Sequence, residues 1–231
     1  MTQAERAGVR PIDPRAYACV MAVLRRVFDG YFHTHVSGRE HLPAPGTPTI
    51  VASNHVSNLD VFAMGHAVAQ PGYFLSKVEA TRLPLFGRVL LSVGAIPANR
   101  DKRDTAALKQ MMAALAAGHL IGLAPEGTRS PDGTLRPYDP GFIWLAIRTG
   151  AVVVPAAIHG THALMPKGAR LPRRGDIWIR FGAPMRFEGE ERPTRERLEA
   201  LAETARRRTL ALLADLEAET GLPNPALAAP A

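Results

Sequence analysis

Apolar and polar positions along the chain predict strands and helices in alternation. Short apolar or alternating runs predict six strands, and apolar positions at helical spacing predict the helices between them. The predicted strands cover residues 49–53, 73–76, 95–98, 119–124, 151–158 and 177–181. The predicted helices cover residues 14–32, 61–69, 83–93, 104–117, 142–148 and 194–220. This alternation is typical of an α/β fold, a three-layer sandwich with a mostly parallel sheet.

The first predicted helix has an apolar side that is interrupted by charges. Arg25, Arg26 and Asp29 fall within it, whereas a helix that spans a bilayer needs about 20 mostly apolar residues. We therefore expect an amphipathic helix that lies at an interface or packs against the domain. Cys19 lies in the apolar run of residues 16–24, so we expect it to be a small buried hydrophobic side chain.

Composition limits the class of protein and its partners. A chain of 231 residues with 46% hydrophobic residues is typical of one globular α/β domain with short additions. We divide it into an N-terminal helical segment (residues 1–36), an α/β domain (37–190) and a C-terminal helix with a tail (191–231). The net charge of +7 favours an anionic partner. No nucleic-acid-binding pattern is present, so we expect an acidic membrane surface and no nucleic acid.

The first motif, Asn54-His55-Val56-Ser57-Asn58-Leu59-Asp60, places four residues between a histidine and an aspartate. On one straight helix, His55 and Asp60 would point to nearly opposite sides. They meet if His55 lies in a loop and Asp60 in the first helical turn, with Ser57 or Asn58 as the N-cap. Asp60 would then hold one imidazole nitrogen, leaving the other to accept a hydroxyl proton. The ordinary alternative is a loop histidine and an aspartate that merely starts a helix.

The second motif is Pro125-Glu126-Gly127-Thr128-Arg129-Ser130. Gly127 allows unusual backbone geometry, Thr128 offers a hydroxyl, and Arg129 offers a planar fork of donors suited to phosphate. The alternative is an ordinary turn with an exposed arginine. Because both motifs follow predicted strands, we expect them at the same edge of the sheet, where α/β proteins bind ligands.

Two further groups of residues have ordinary alternatives. Arg100 is a second candidate for binding an anion, but Asp101 and Asp104 are close enough in sequence to pair with it. His159 and His162 flank a Gly-Thr pair, and without a third ligand nearby we predict no metal site. The Walker nucleotide-binding loop, the glycine pattern of dinucleotide-binding proteins and the zinc-protease motif are absent from the sequence.

Four blocks in order resemble the glycerolipid acyltransferase family: residues 54–60 (N-H-x-x-x-x-D), 94–100 (G-x-I-x-x-x-R), 125–130 (P-E-G-T-R-S) and 154–155 (V-P). The resemblance covers roughly residues 35–185. It implies transfer of an acyl group from acyl-CoA or acyl carrier protein to the hydroxyl of a lysoglycerophospholipid, most simply 1-acyl-glycerol-3-phosphate. Neither a cofactor nor a metal is implied.

The resemblance also assigns residues. It makes His55 the general base and Asp60 its orienting carboxylate. It assigns binding of the acceptor phosphate to five residues: Arg100, Glu126, Gly127, Thr128 and Arg129. It further implies that the N-terminal helix docks on an anionic membrane, giving peripheral association with the cytoplasmic face of the inner membrane.

Other functions stay open at this point. A non-catalytic lipid-binding module would keep the fold, although an intact His55 and Asp60 argue against it. A soluble nucleotide- or nucleic-acid-binding protein is suggested only by charge and fold class. Another lysophospholipid and a non-phosphorylated lyso-lipid are alternative acceptors, because residues 138–141 (Tyr-Asp-Pro-Gly) stand where family members often carry basic residues.

Overall fold

The computed structural model describes residues 9–99, 104–166, 168–190 and 192–227. The strands are β1 (Thr34–Ser37), β2 (Thr49–Ser53), β3 (Gly72–Lys77), β4 (Ala95–Ala98), β5 (Leu120–Leu123), β6 (Val152–His159) and β7 (Ile177–Phe181). The helices are α1 (Pro14–Gly30), α2 (Leu59–Val68), α3 (Val78–Arg82), α4 (Phe86–Ser92), α5 (Thr105–Ala116), α6 (Gly141–Thr149), α7 (Thr161–Leu164) and α8 (Arg195–Thr220).

The strands form one sheet in the order β1-β7-β6-β2-β5-β3-β4. β2, β3, β4, β5 and β6 run parallel to one another. β7 pairs antiparallel with β6, and β1 follows β7 in parallel, so the last two strands at that edge run the opposite way. The predicted α/β fold with a mostly parallel sheet and an N-terminal helix is therefore confirmed.

Successive residues of β2 point to opposite faces of the sheet and into two separate cores. Ile50 and Ala52 belong to the core that α5, α6 and α8 cover. Val51 belongs to the core that α1 and α2 cover. All three side chains are fully buried, which explains why the middle of the central strand is apolar in sequence.

Three helices begin with the side-chain caps expected of their sequences. The carboxylate of Asp104 accepts hydrogen bonds from Ala106 N and Ala107 N at the start of α5, as predicted. Asp13 and Thr194 cap α1 and α8 in the same way. Each cap pairs backbone N–H groups that a helix leaves free at its first turn.

The predicted helix over residues 83–93 is shorter in the structure. The chain forms α3 and α4, separated by Leu83, Pro84 and Leu85. Leu83 is extended, as a residue before proline prefers to be, and Leu85 adopts a φ of 62°. Apolar residues at helical spacing predict a helix over the whole segment. Pro84 disfavours the helical conformation of the residue before it, so the helix begins only at Phe86.

Two other expectations differ from the structure. Cys19 is exposed rather than buried, because the rest of the protein covers only one side of α1, at Met21 and Phe28. Strand β1 was not predicted, since its four residues alternate between intermediate and exposed positions at the sheet's edge. The expected boundary at residue 36 falls inside β1.

Candidate active site

The two sequence motifs lie side by side at the carboxyl edge of the sheet. β2 and β5 are parallel neighbours, with Ala52 opposite Leu123. The first motif follows the end of β2, and the second follows the end of β5. The neighbouring position of these two strands therefore brings together two segments that are about seventy residues apart in sequence.

His55 and Asp60 are in contact. Nδ1 of His55 lies 2.9 Å from Oδ2 of Asp60, and both side chains are buried. His55 is in the loop after β2, and Asp60 is the second residue of α2, which is the arrangement that their spacing requires. A carboxylate accepts only, so the proton of a neutral imidazole sits on Nδ1 and Nε2 keeps its lone pair. Within the described residues, Nε2 makes no hydrogen bond.

Asp60 is itself held by the backbone of the loop. Its Oδ2 also accepts hydrogen bonds from Val56 N at 2.7 Å and Ser57 N at 2.8 Å. The Ser57 hydroxyl donates to Met165 O and accepts a bond from Leu59 N. Ser57 is thus the side chain that caps α2, whereas Asn58 makes no capping bond. These bonds fix the carboxylate and, through it, the imidazole ring.

Glu126 joins the two motifs. Its Oε1 accepts a hydrogen bond from His55 N at 2.7 Å, and its Oε2 accepts one from Arg136 N at 3.0 Å. In the opposite direction, Ser130 N donates to His55 O at 2.9 Å. The backbone of His55 is therefore bonded on both sides by the second motif. Acceptor binding by Glu126 stays a prediction, and the geometry adds a positioning role that sequence reasoning missed.

Burial raises the pKa of Glu126 from its ordinary value of 4.5 to about 7. The neighbouring Asp60 contributes to this higher pKa, and the two N–H donors and the charge of Arg136 oppose it without cancelling it. The charge next to His55 therefore changes in the physiological pH range. Strongly shifted carboxyl groups of this kind concentrate at functional sites.

Asn54 ties the same loop to β6. Its Nδ2 donates to Ile158 O at 2.9 Å, and its Oδ1 accepts from Ile158 N at 2.8 Å. A side-chain amide thus extends the sheet's pairing by one rung beyond the end of β2. The signal in sequence was Asn54 itself, directly before the histidine, but the pattern gave no indication of its partner.

An apolar cavity of ≈ 420 Å³ opens beside the pair. His55 and Asp60 lie in its wall, together with Gly127 of the second motif. The rest of the wall comes from α1, α2, α4, α5 and the strands next to them, and includes Tyr17, Met21, Leu24, Met64, Phe74, Phe86, Leu90, Met111 and Leu123. The arrangement suits a long hydrocarbon chain whose reactive end reaches the histidine. Sequence reasoning did not name these residues.

The other predicted binding residues lie on the turn after β5. Gly127 has a φ of 71°, a conformation that favours glycine, and is exposed. Thr128 is also exposed, and Arg129 is half-buried without an ion-pair partner among the described residues. Neither side chain lines the cavity. Arg100 lies outside the described residues.

The predicted absence of a metal site stays a prediction. Within the described ranges, the structure has no group of three or more histidine, cysteine, aspartate or glutamate side chains placed to hold an ion. His159 is buried against Trp178, with ring centroids 5.7 Å apart.

A buried His–Asp pair at the carboxyl edge of a mostly parallel sheet, facing an apolar cavity, defines a site for chemistry on a lipid-like molecule. The family model called Acyltransferase matches residues 33–159, just over half of the chain. The chain therefore belongs to the acyltransferase family.

Its relatives carry a common name. A chloroplast 1-acyl-sn-glycerol-3-phosphate acyltransferase of Brassica napus is 34% identical over 67% of this chain and 46% of its own length. The Bacillus subtilis protein of that name is 26% identical over 75% of this chain and 84% of its own length. The chain spans about half the length of several plant and algal relatives that it matches.

A solved structure is also similar. The 1-acyl-sn-glycerophosphate (LPA) acyltransferase PlsC from Thermotoga maritima aligns with a TM-score of 0.72 and 27% identity. The alignment covers 86% of this chain and 80% of the Thermotoga chain.

Proposed function

We propose that this protein transfers a fatty acyl group from acyl-CoA or acyl carrier protein to the free hydroxyl of 1-acyl-glycerol-3-phosphate, in phospholipid biosynthesis. The observation that carries the proposal is the 2.9 Å contact between His55 Nδ1 and Asp60 Oδ2 in the wall of an apolar cavity. The names of the relatives support the same reaction and acceptor.

The proposed mechanism uses His55 as the general base. Asp60 fixes the proton on Nδ1, so that Nε2 accepts the proton of the acceptor hydroxyl as its oxygen attacks the thioester carbonyl. A tetrahedral intermediate forms and collapses with loss of the thiolate. The imidazolium returns its proton to the sulfur, which leaves an ester and a free thiol. The reaction involves no net oxidation, and the thioester is already activated, so we propose that neither a cofactor nor a metal takes part.

The acceptor's phosphate is assigned to the turn after β5. Arg129 offers a guanidinium that has no other anionic partner among the described residues, and Gly127 leaves the backbone open next to the cavity wall. Arginine forks match phosphate oxygens in geometry and charge. We propose that Gly127, Thr128, Arg129, Arg100 and Glu126 together form the acceptor end of the site.

The location proposed is the cytoplasmic face of the inner membrane, with peripheral attachment through α1. Val23 and Val27 of α1 are 57% and 37% exposed, although Met21 and Phe28 of the same helix are buried. One side of α1 is thus packed on the sheet while a second apolar side faces outward. None of the helices among the described residues combines the length and apolar character needed to cross a bilayer.

The experiment is a transfer assay with labelled acyl-CoA and a panel of acceptors in micelles. We expect acylation of lysophosphatidate to exceed that of lysophosphatidylcholine and of a lyso-lipid without phosphate. Equal rates on all three acceptors would reject the assignment of the phosphate to the β5 turn. If acyl carrier protein and acyl-CoA both fail as donors with every acceptor, the catalytic proposal is wrong and a lipid-binding module takes its place.

A further inference from the structure

Large hydrophobic side chains are exposed to solvent in one concentrated region. The described residues include eleven such side chains, and four of them fall between residues 83 and 89. They are Leu83 at 53%, Leu85 at 75%, Phe86 at 44% and Val89 at 37% exposed. Exposed apolar groups that cluster in this way mark an interaction surface rather than ordinary surface scatter.

The backbone at Leu85 is held in a strained conformation. Leu85 has φ 62° and ψ −61°, and Phe86 N donates to Pro84 O at 2.7 Å. This is the rare form of γ-turn with positive φ, which is unfavourable for a residue other than glycine. The close packing of this corner requires glycine at position 87, because a Cβ there would collide with the carbonyl of Thr81. Leu85 therefore combines an unfavourable backbone conformation with an exposed apolar side chain.

The strained corner stands where the cavity opens. Phe86 and Val89 both line the cavity and are exposed, so they mark its mouth. Across the mouth, α1 contributes Tyr17 and Val20 to the cavity wall and exposes Val23 next to them. The exposed apolar side chains at the mouth and the wall that contains His55 and Asp60 therefore belong to the same cavity.

The charges beside the corner are mainly positive. Lys77, Arg82 and Arg88 are exposed within this part of the chain, against one exposed acidic residue, Glu79. Basic residues near an anionic lipid surface strengthen the binding of a protein to that surface. An apolar tip surrounded by positive charge is complementary to an anionic leaflet, with headgroups outside and hydrocarbon within.

We propose that the insertion tip, residues 83–86 (Leu-Pro-Leu-Phe), enters the hydrocarbon of an anionic lipid leaflet and places the cavity mouth against it. Acyl chains then pass between leaflet and cavity without crossing water. The tip acts beside α1 as a second, independent contact with the bilayer. The passage of acyl chains rests on the proposed function, whereas insertion of the tip does not.

The test is partition of the full chain onto vesicles with and without anionic lipid. The variant is Leu83→Ser/Leu85→Ser, because neither leucine lines the cavity. The matched control is Leu222→Ser, a leucine 46% exposed after α8, the helix that covers the other face of the sheet. We expect the double variant to lose at least about tenfold in partition onto anionic vesicles, and the control to change less than twofold. Thermal melting of both variants should match the wild type, because these side chains are exposed.

A second measurement separates this proposal from the proposed function. With short-chain acyl donor and acceptor dissolved below their critical micelle concentrations, the double variant should keep the wild-type rate, whereas its rate on vesicle-embedded lipid should fall. Unchanged vesicle partition would overturn the insertion tip, as would an equal loss in the Leu222 control. If the variant instead changes only the sedimentation of the free protein, the corner is a contact between two copies of this chain and the proposal is wrong. Failure of transfer by the wild type would reject the enzyme while leaving the partition result valid.

Discussion

Two regions of the molecule depart in opposite ways from the rule that polar side chains are exposed and apolar ones buried. They are the junction of the two motifs (His55, Asp60 and Glu126) and the cavity mouth (Leu85 and Phe86). At the junction, the polar His55 and Asp60 are buried, Glu126 is partly buried, and backbone groups bond to them. At the mouth, Leu85 and Phe86 are left in water. The first arrangement costs desolvation and the second costs hydrophobic free energy. The proposed reaction needs both, because a buried base acts there on lipid substrates that enter from a lipid surface.

The largest expected effect is at the junction. Replacing His55 with alanine removes the proposed proton acceptor, so we expect the rate of acyl transfer to fall by about 10²–10⁴-fold. The matched control is His35→Ala, an exposed histidine on β1 that pairs with Asp176 away from the cavity. Measurement of kcat on lysophosphatidate for both variants checks this. A His55→Ala rate within threefold of the wild type would remove the junction from the mechanism.

Glu126→Gln tests the hydrogen bonds by which Glu126 joins the two motifs. An amide has one acceptor oxygen, so its NH₂ group must face either His55 N or Arg136 N, and an N–H group is left unpaired at a cost of about 1–3 kcal/mol. At pH 5 we expect a lower free energy of unfolding and a kcat reduced by about tenfold or more, with the exposed Glu188→Gln near the wild type. Wild-type kcat in Glu126→Gln would show that these hydrogen bonds do not position His55.

The same residue predicts a pH dependence of stability. The pKa of Glu126 is raised by burial to about 7 in the folded protein, so its proton is bound more tightly than in the unfolded chain. Its contribution to stability is present below pH 4.5 and is lost as the pH rises through 7. Relative to Glu126→Gln, wild-type stability should fall by up to about 3 kcal/mol between pH 5 and pH 8. Urea unfolding at both pH values measures this, and a constant difference would contradict the burial argument.

A smaller effect is expected at the acceptor end. Arg129→Ala should raise the KM for lysophosphatidate by about tenfold with little change in kcat, because the lost contact to phosphate is present before and during the reaction. The control is Arg148→Ala, an exposed arginine in the last turn of α6, which precedes β6 and so lies at the opposite edge of the sheet. The increase should disappear with an acceptor that has no phosphate. An equal increase for both acceptors would rule out recognition of the phosphate by Arg129.

Much of the junction was predictable from sequence, and most of the mouth was not. The spacing of His55 and Asp60 fixed their contact to a loop and a first helical turn, since no other layout joins them. A mostly parallel sheet with both motifs at the same edge followed from strand alternation, whereas the pairing of β2 with β5 is visible only in the structure. The bonds from Glu126 to two backbone N–H groups were hidden, because backbone donors leave no mark in sequence.

The exposure of Leu85 and of Cys19 was not predictable from sequence, for one physical reason. Apolar residues in sequence indicate burial, and at the mouth they face outward instead. A pattern of side chains does not distinguish an apolar group packed in a core from one presented to a lipid, because both favour the same residues. The structure distinguishes a core side chain from one at the cavity mouth, because it shows where the cavity opens.

The most direct test of the account is a double-mutant cycle on the catalytic pair. Acyl transfer to lysophosphatidate is measured for the wild type, His55→Ala, Asp60→Asn and the double variant, with thermal melting as a check on folding. If Asp60 acts through His55, each single substitution slows transfer, and the double variant reacts as His55→Ala does, within about threefold. If the two losses multiply in the double variant, His55 and Asp60 act independently and the proposed base with its orienting carboxylate is contradicted.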